Sequence, residues 1–318
     1  MLKKTLYIFF SLLPGMLFAQ SKVDSLTKVL ALAQQDTEKI KILVLLAGQF
    51  GSNDPARALS YANKAAAICD HPTYDTIGPA SKKIAASVYR NQGASSFYLG
   101  DYSTALVKLK RALQIYEEIK YTEGAASIYG WIGNTYYSRG EFENALEALI
   151  LALNLHEKKG NPGGMAGALN GIANIYQSQR NTKKALEYYF KSLKIRLSTG
   201  DSISMAYTYN NIGLVYMTEA DSLDKALDYH LKCLYLVERF ADKKGMENSY
   251  GNIGEIYTWK KQYDKALVYQ LKSLKIAQEI ADKSGTAACY NSLGKIYLKL
   301  NEYGKALANF EKGLLPAR

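Results

Sequence analysis

The heptapeptide Trp-Ile-Gly-Asn-Thr-Tyr-Tyr at residues 131–137 returns along the chain at a nearly constant interval. The small residue at its third position recurs every 40 residues, and once after 41, at Gly93, Gly133, Ala173, Gly213, Gly254 and Gly294. A second small residue follows twelve residues later, or thirteen in the fourth copy, at Ala105, Ala145, Ala185, Ala226, Ala266 and Ala306. Six periods of one supersecondary unit are the sequence signature of a repeat protein.

Each copy contains two helical runs separated by a turn. In the second copy, Ile128, Ile132 and Tyr136 recur on one helix face, Gly140 ends that pattern, and a second apolar run begins at Phe142. Charged joints that contain glycine separate most copies from the next. We predict that each copy is a helical hairpin. The small residue of its first helix should face the small residue of its second, so that the two backbones lie close together.

This pattern resembles the tetratricopeptide repeat, in which an aromatic residue, a Leu-Gly pair, a tyrosine and an Ala-x3-Phe segment follow one another. The first aromatic position holds Tyr89, Tyr129, Tyr209, Tyr250 and Tyr290, with Leu169 in the third copy. The tyrosine position holds Tyr136, Tyr176, Tyr216, Tyr257 and Tyr297, with Ser96 in the first copy. The resemblance implies an all-α fold, a right-handed superhelical solenoid of antiparallel helical hairpins.

Two features depart from the common 34-residue unit. The proline that ends it is absent, since that position holds residues such as Glu117 and Glu157, and the period of 40 is longer. Long-helix units of this kind resemble the exported sensor regions of bacterial tetratricopeptide signalling proteins. In those proteins an export signal and a repeat sensor precede a membrane helix and a kinase or DNA-binding domain.

The amino terminus is predicted to be a signal peptide over residues 1–19. Lys3 and Lys4 precede an uncharged, mostly apolar run that ends at Ala19 and is short for a membrane span. A buried or interfacial N-terminal helix is the alternative. We expect cleavage near Ala19, before Gln20, and export to the periplasm or cell envelope.

Two further regions follow the predicted signal peptide. Residues 20–78 are expected to form irregular N-terminal helices that include a degenerate first repeat, with Asp54 as the cap of its second helix and Pro55 in the first turn. Residues 79–318 are expected to form six tetratricopeptide-like repeats.

The composition argues against enzyme chemistry. Three histidines and three cysteines in 318 residues leave little material for a metal site or for acid–base catalysis. His230 holds a second-helix position that Leu109, Leu149 and Phe310 hold in other copies, so we interpret it as a packing residue. No phosphate-binding glycine loop, nucleophile motif or paired carboxylates occur in the sequence. We predict a non-enzymatic protein with no catalytic residues, metal or cofactor.

The chain is basic, with 40 Lys and Arg against 29 Asp and Glu and a net charge of +11. Lysines recur at two second-helix positions, Lys184, Lys225, Lys265 and Lys305, and Lys191, Lys232, Lys272 and Lys312. In tetratricopeptide arrays the second helices face the convex side. The resemblance therefore implies a solvated lysine face and argues against nucleic acid as a partner, as does the predicted export.

Amide and tryptophan side chains surround the glycine position of the first helices. They are Asn91, Trp131, Asn134, Asn170, Asn174, Asn211, Asn252, Trp259 and Asn291. The resemblance implies that first helices line a concave groove. An asparagine carries both a donor and an acceptor, so such a row can clamp the backbone of an extended peptide. The alternative is that these amides only bridge neighbouring first helices.

Two functions fit these features. The first is a protein- or peptide-binding tetratricopeptide scaffold of the bacterial cell envelope. The second is the sensor portion of a signalling protein, of the histidine kinase or transcriptional regulator type, whose output domain is missing or supplied by a partner. The second function predicts a membrane-bound signalling partner.

Overall fold

The computed structural model describes residues 13–71 and 78–314, and throughout these ranges every regular element is a helix. Alongside one short 3-10 helix at Ala220–Ser222, the α-helices are α1 (Leu13–Leu32), α2 (Asp36–Phe50), α3 (Pro55–Cys69), α4 (Pro79–Tyr98), α5 (Tyr102–Glu118), α6 (Thr122–Ser138), α7 (Phe142–Lys159), α8 (Pro162–Ser178), α9 (Thr182–Thr199), α10 (Ser202–Met217), α11 (Leu223–Arg239), α12 (Lys243–Trp259), α13 (Tyr263–Glu279), α14 (Lys283–Lys299) and α15 (Tyr303–Leu314). The predicted all-α hairpin repeat is confirmed.

Aspartate side chains cap the amino termini of helices at the hairpin boundaries. The Asp54 carboxylate accepts a hydrogen bond from the backbone N–H of Arg57 at 3.0 Å, and Pro55 opens α3, as predicted. At the joint before α12, the Asp242 carboxylate accepts from the backbone N–H of Gly245 at 3.0 Å. These carboxylates satisfy donors that the first turn of a helix leaves without an intrahelical partner.

Close packing inside each hairpin depends on the glycine of the first helix. A β-carbon at Gly133 would lie 2.6 Å from Leu149 Cγ and 3.2 Å from the Ala145 carbonyl oxygen. The glycine therefore contacts the alanine backbone, as predicted. The nearest obstacle, however, is the side chain four residues beyond the alanine. Ala145 itself is fully buried.

The helices fall into two compact units that divide between Gly164 and Met165, inside the first turn of α8. In the first unit, Leu109 and Ile128 are fully buried members of one hydrophobic cluster. In the second unit, Tyr189 and Ile212 are fully buried in a cluster built from successive hairpins. Each unit is thus stabilised by side chains packed between neighbouring hairpins.

Part of the predicted signal peptide lies outside the described residues, which begin at Leu13. Helix α1 continues past Ala19 and ends at Leu32, so the expected cleavage point stays a prediction. The joint that follows His71 also lies outside the described ranges. Within those ranges, no helix has the length and apolar character needed to cross a bilayer.

Candidate binding surface on the first helices

Amide side chains link three successive first helices of the second unit. Asn252 Nδ2 on α12 donates to Asn210 Oδ1 on α10 at 3.1 Å. Asn211 Nδ2, also on α10, donates to Asn174 Oδ1 on α8 at 3.5 Å. Asn210 Nδ2 lies 3.5 Å from Asn211 Oδ1 and connects the two contacts. We call these four residues the amide row.

The amide row ends on two residues that the sequence did not suggest. The Tyr189 hydroxyl on α9 lies 2.5 Å from Asn174 Oδ1 and 2.6 Å from Gln177 Oε1, and its hydrogen can be donated to either. Tyr189 holds the second-helix position that is leucine at Leu109 and Leu149. The hydroxyl-bearing tyrosine at a position that is leucine in other copies was the one sign in the sequence that Tyr189 makes a polar contact.

Three other predicted site residues of the second unit stand apart from the amide row. Asn170 on α8 is half-buried, and its Oδ1 atom is buried with no hydrogen-bond partner among the described residues. Trp259 ends α12 and is 45% exposed. Asn291 on α14 is exposed, and a β-carbon at Gly313 of α15 would lie 2.8 Å from its Oδ1 atom.

The first unit contains the remaining three predicted site residues. Asn91 Nδ2 on α4 donates to the Val44 carbonyl oxygen of α2 at 3.2 Å, so this amide bridges two first helices. Trp131 on α6 is half-buried and meets the ring of Phe97 edge-on at 5.7 Å. Asn134 is exposed.

The amide row lies on helices of low charge. Helices α8 and α10 contain no Asp, Glu, Lys or Arg. Three of the four amides of the row, Asn174, Asn210 and Asn211, therefore sit on uncharged helices. Such a surface can offer donors and acceptors to a peptide backbone whatever the charge of its side chains.

Two of the three histidines, His156 and His230, are buried, whereas His71 is exposed. Burial lowers the pKa of His230 to about 4, so its ring is neutral near pH 7. Burial also lowers the pKa of His156, against a smaller opposing effect of Glu123. The three cysteines are free and buried, and burial raises the pKa of the Cys69 thiol to about 12. No cluster of three His, Cys, Asp or Glu suited to a metal ion occurs across residues 13–71 and 78–314.

The sequence profile of the tetratricopeptide repeat matches residues 84–158, 124–198, 164–239 and 245–314. The chain belongs to the tetratricopeptide repeat family. This confirms the resemblance read from the aromatic, glycine and alanine positions. The tetratricopeptide hairpins beginning at α4 account for the matched residues.

Solved tetratricopeptide-like structures share this fold at low sequence identity. Aspartyl phosphate phosphatase F from Bacillus subtilis is 15% identical, with a TM-score of 0.66 over 89% of this chain and 72% of that one. The Rap conjugation gene regulator of plasmid pLS20, solved with a Phr peptide, is 14% identical, with a TM-score of 0.59 over 94% and 95%. A signal transduction ATPase with a tetratricopeptide repeat sensor from Pyrococcus horikoshii is 19% identical, with a TM-score of 0.67 over 87% and 42%. No curated protein sequence matches the chain.

Proposed function

We propose that the protein is a non-enzymatic scaffold that binds an extended peptide, or an extended segment of a protein, along the amide row. The observation that carries this proposal is the continuous path of amides across α8, α10 and α12. Two of its contacts are 3.5 Å long, which is beyond the usual range of an N–H···O hydrogen bond.

The long contacts leave hydrogen-bonding capacity for a ligand. Each asparagine amide has two N–H donors and an oxygen with two lone pairs, and the contacts within the row use only part of them. A peptide backbone offers one N–H and one C=O per residue, spaced along an extended line. Shorter bonds to such a backbone can replace the 3.5 Å contacts of Asn211 without leaving its amide unpaired.

The solved neighbours support a binding role. The pLS20 regulator has the same fold and was solved with a peptide bound. The low identity means that the position of its ligand is not carried over to this chain. We place the scaffold in the bacterial cell envelope because Lys3, Lys4 and the run to Ala19 have the pattern of an export signal.

A sensor within a signalling protein is the second candidate. The Pyrococcus horikoshii protein contains a tetratricopeptide repeat sensor, and the present chain spans 42% of its length. In this alternative, peptide binding is transmitted to an output domain that is either missing from this sequence or supplied by a membrane-bound partner. Reading downstream of the coding region distinguishes the two candidates, because a kinase or DNA-binding domain in the same frame supports the second.

The peptide-binding proposal is tested with the double variant Asn174→Ala, Asn211→Ala. Proteins captured from a cell-envelope extract are identified by mass spectrometry, and the segment they share is synthesised and titrated. The loss of two hydrogen bonds should weaken binding at least about tenfold. The fold should survive, because the Tyr189 hydroxyl keeps Gln177 as an acceptor.

A matched control is Asn309→Ala, which removes a half-buried amide from the second helix α15, where its Nδ2 donates to the Lys305 carbonyl oxygen at 2.8 Å. It should leave the affinity unchanged. Equal affinities for the double variant and the wild type would overturn the proposed surface. Recovery of an intact Met1 terminus from a cytosolic fraction would overturn the proposed location.

A further inference from the structure

Stacked tyrosine pairs flanked by lysines repeat on the second unit, at residues other than those of the amide row. In hairpin α8–α9, Tyr176 stacks on Tyr188 with ring centroids 5.5 Å apart and planes at 20°. The Lys184 ammonium lies 4.9 Å from the Tyr176 centroid, and the Lys191 ammonium lies 4.8 Å from that of Tyr188. Each distance is within the range of a cation–π contact.

The next two hairpins reproduce this arrangement at the same repeat positions. Their stacked rings lie 5.7 Å and 5.5 Å apart, and their ammonium groups lie between 4.9 and 5.5 Å from the ring centroids. The residues involved are Tyr216, Tyr229, Lys225 and Lys232, then Tyr257, Tyr269, Lys265 and Lys272. We call the three sets together the lysine–tyrosine face.

Among the described residues, four of these six cations form no ion pair. Lys191 pairs with Glu187 and Lys232 pairs with Asp228, each at 2.6 Å. The other four lysines of the face are exposed, and within the described ranges none has an ion-pair partner: Lys184, Lys225, Lys265 and Lys272. Their ammonium groups lie over tyrosine rings and are exposed to an anionic ligand.

An exposed apolar side chain precedes one lysine of each set. Phe190 is 37% exposed, Leu231 is 42% exposed and Leu271 is 51% exposed. The Phe190 ring lies 6.2 Å from the Tyr229 ring of the following hairpin, which joins the apolar positions to the tyrosine pairs. The face therefore combines positive charge with exposed apolar side chains.

We propose that the lysine–tyrosine face binds an acidic protein segment in which carboxylates alternate with apolar side chains. The carboxylates would meet the unpaired ammonium groups, and the apolar side chains would cover Phe190, Leu231 and Leu271. This is a second interaction surface, distinct from the amide row, and it does not depend on the proposed peptide site.

The geometry favours a protein segment over nucleic acid or a lipid bilayer. Single-stranded nucleic acid binds through bases stacked on aromatic faces, but here one face of each ring is against its partner and an ammonium lies over the ring. A phosphate backbone also offers nothing apolar to Leu231 and Leu271. Membrane-surface helices carry a continuous apolar face on one helix, whereas these apolar residues are distributed over three helices.

The test uses a fluorescent peptide in which glutamate alternates with leucine, with a matched peptide in which glutamine replaces glutamate. The glutamate peptide should bind, and its affinity should fall as the salt concentration rises. The variant Lys225→Gln, Lys265→Gln should weaken binding about fivefold, since each partly exposed ion pair contributes modestly. Leu231→Ser, Leu271→Ser should also weaken it about fivefold through lost apolar contact.

Two control variants make the test specific. Lys194→Gln, Lys275→Gln removes the same charge from exposed lysines of α9 and α13 that, among the described residues, form no ion pair and no cation–π contact. It should change the affinity less than about twofold. Asn174→Ala, Asn211→Ala should have no effect on this peptide. All these variants should keep the circular dichroism spectrum and melting temperature of the wild type.

Four results would overturn the proposal. They are equal binding of the glutamine peptide, equal losses in the two lysine variants, no loss in the leucine variant, and binding of phosphatidylserine vesicles or duplex DNA without binding of the glutamate peptide. Each separates general basicity, lipid or nucleic-acid binding from recognition of an acidic, apolar segment.

Discussion

Hairpins α10–α11 and α12–α13 carry glycine at the same repeat position, but they bury different side chains against it. His230 faces Gly213 and is fully buried, and neither ring nitrogen has a hydrogen-bond partner among the described residues. Gln270 faces Gly254, is 3% exposed, and its Nε2 donates to the Gly251 carbonyl oxygen at 3.0 Å. One hairpin buries an unsatisfied polar ring and the other a satisfied amide.

The difference shows that the repeat determines which position is buried, but allows either a polar or an apolar side chain at that position. Leu109 and Leu149 fill the same position with apolar side chains. A polar side chain there costs free energy only when its polar atoms lack partners, because burial then removes water without replacing it. The comparison therefore predicts that α10–α11 is the weaker and more acid-sensitive hairpin.

The largest expected difference between the two hairpins is the effect of acid on their stability. Burial lowers the pKa of His230 from 6.5 to about 4. Between pH 6.5 and about pH 4, His230 is therefore protonated in the unfolded chain and neutral in the folded protein. The free energy of unfolding is therefore unaffected by the protonation of His230 above about pH 6.5. It falls by about 3 kcal/mol in total as the pH is lowered from 6.5 to about 4. Urea unfolding of wild type and His230→Gln at several pH values measures it.

His230→Gln is the matched control because glutamine holds this position in α12–α13. The variant should lack the part of the acid destabilisation that is due to His230. It keeps His156, whose lowered pKa acts in the same direction in both proteins. The same pH dependence in both proteins would show that His230 is not responsible.

Gly213→Leu should be the next largest effect. A β-carbon at Gly213 would lie 2.7–2.9 Å from three atoms of the His230 ring, so a leucine forces the two helices apart. The expected cost is about 1–3 kcal/mol or more, measured as a lower melting temperature. Gly167→Leu on α8 is the control, since Gly167 is exposed with no atom near its β-position. An unchanged melting temperature for Gly213→Leu would contradict the packing described here.

His230→Leu should stabilise the protein near pH 7 by about 1–2 kcal/mol, because it removes two unsatisfied polar atoms. Leucine fits this position in the earlier hairpins, at Leu109 and Leu149. Gln270→Leu should bring no such gain, because Gln270 is already hydrogen-bonded to Gly251. Chemical denaturation of both variants measures the difference. Equal gains would mean that satisfaction of the polar atoms is not what distinguishes the hairpins.

Replacing Gly213 or Gly254 with alanine should give the smallest difference in stability between the two hairpins. Gly213→Ala meets a rigid ring, whereas Gly254→Ala meets the flexible side chain of Gln270, whose Nε2 atom lies 2.8 Å from the added carbon. The gain in helix propensity is common to both variants and cancels. Gly213→Ala should therefore be less stable by about 1 kcal/mol. A ring that rotates aside without cost would make the two variants equal.

Much of the fold was predictable because the signals are local and repeated. The helical runs and the cap at Asp54 follow from local sequence patterns, and the buried position of His230 follows from comparison with the equivalent residues of other copies. The candidate site was predicted less completely. Asn174, Asn211 and Asn252 were identified as residues of the first helices, but Tyr189 and Gln177 were not, because their role depends on contacts between helices.

The sequence by itself determined the hairpin repeat, its period and the positions that are buried. Those properties follow from the periodicity of a helix and from the residues that end it. Only the tertiary structure decided which side chains meet: Gly133 against Leu149, Asn252 against Asn210, and the lysines over the tyrosine rings. Such pairs depend on the relative rotation and offset of two helices. These are set by the packing of every side chain between the helices and by no single stretch of sequence.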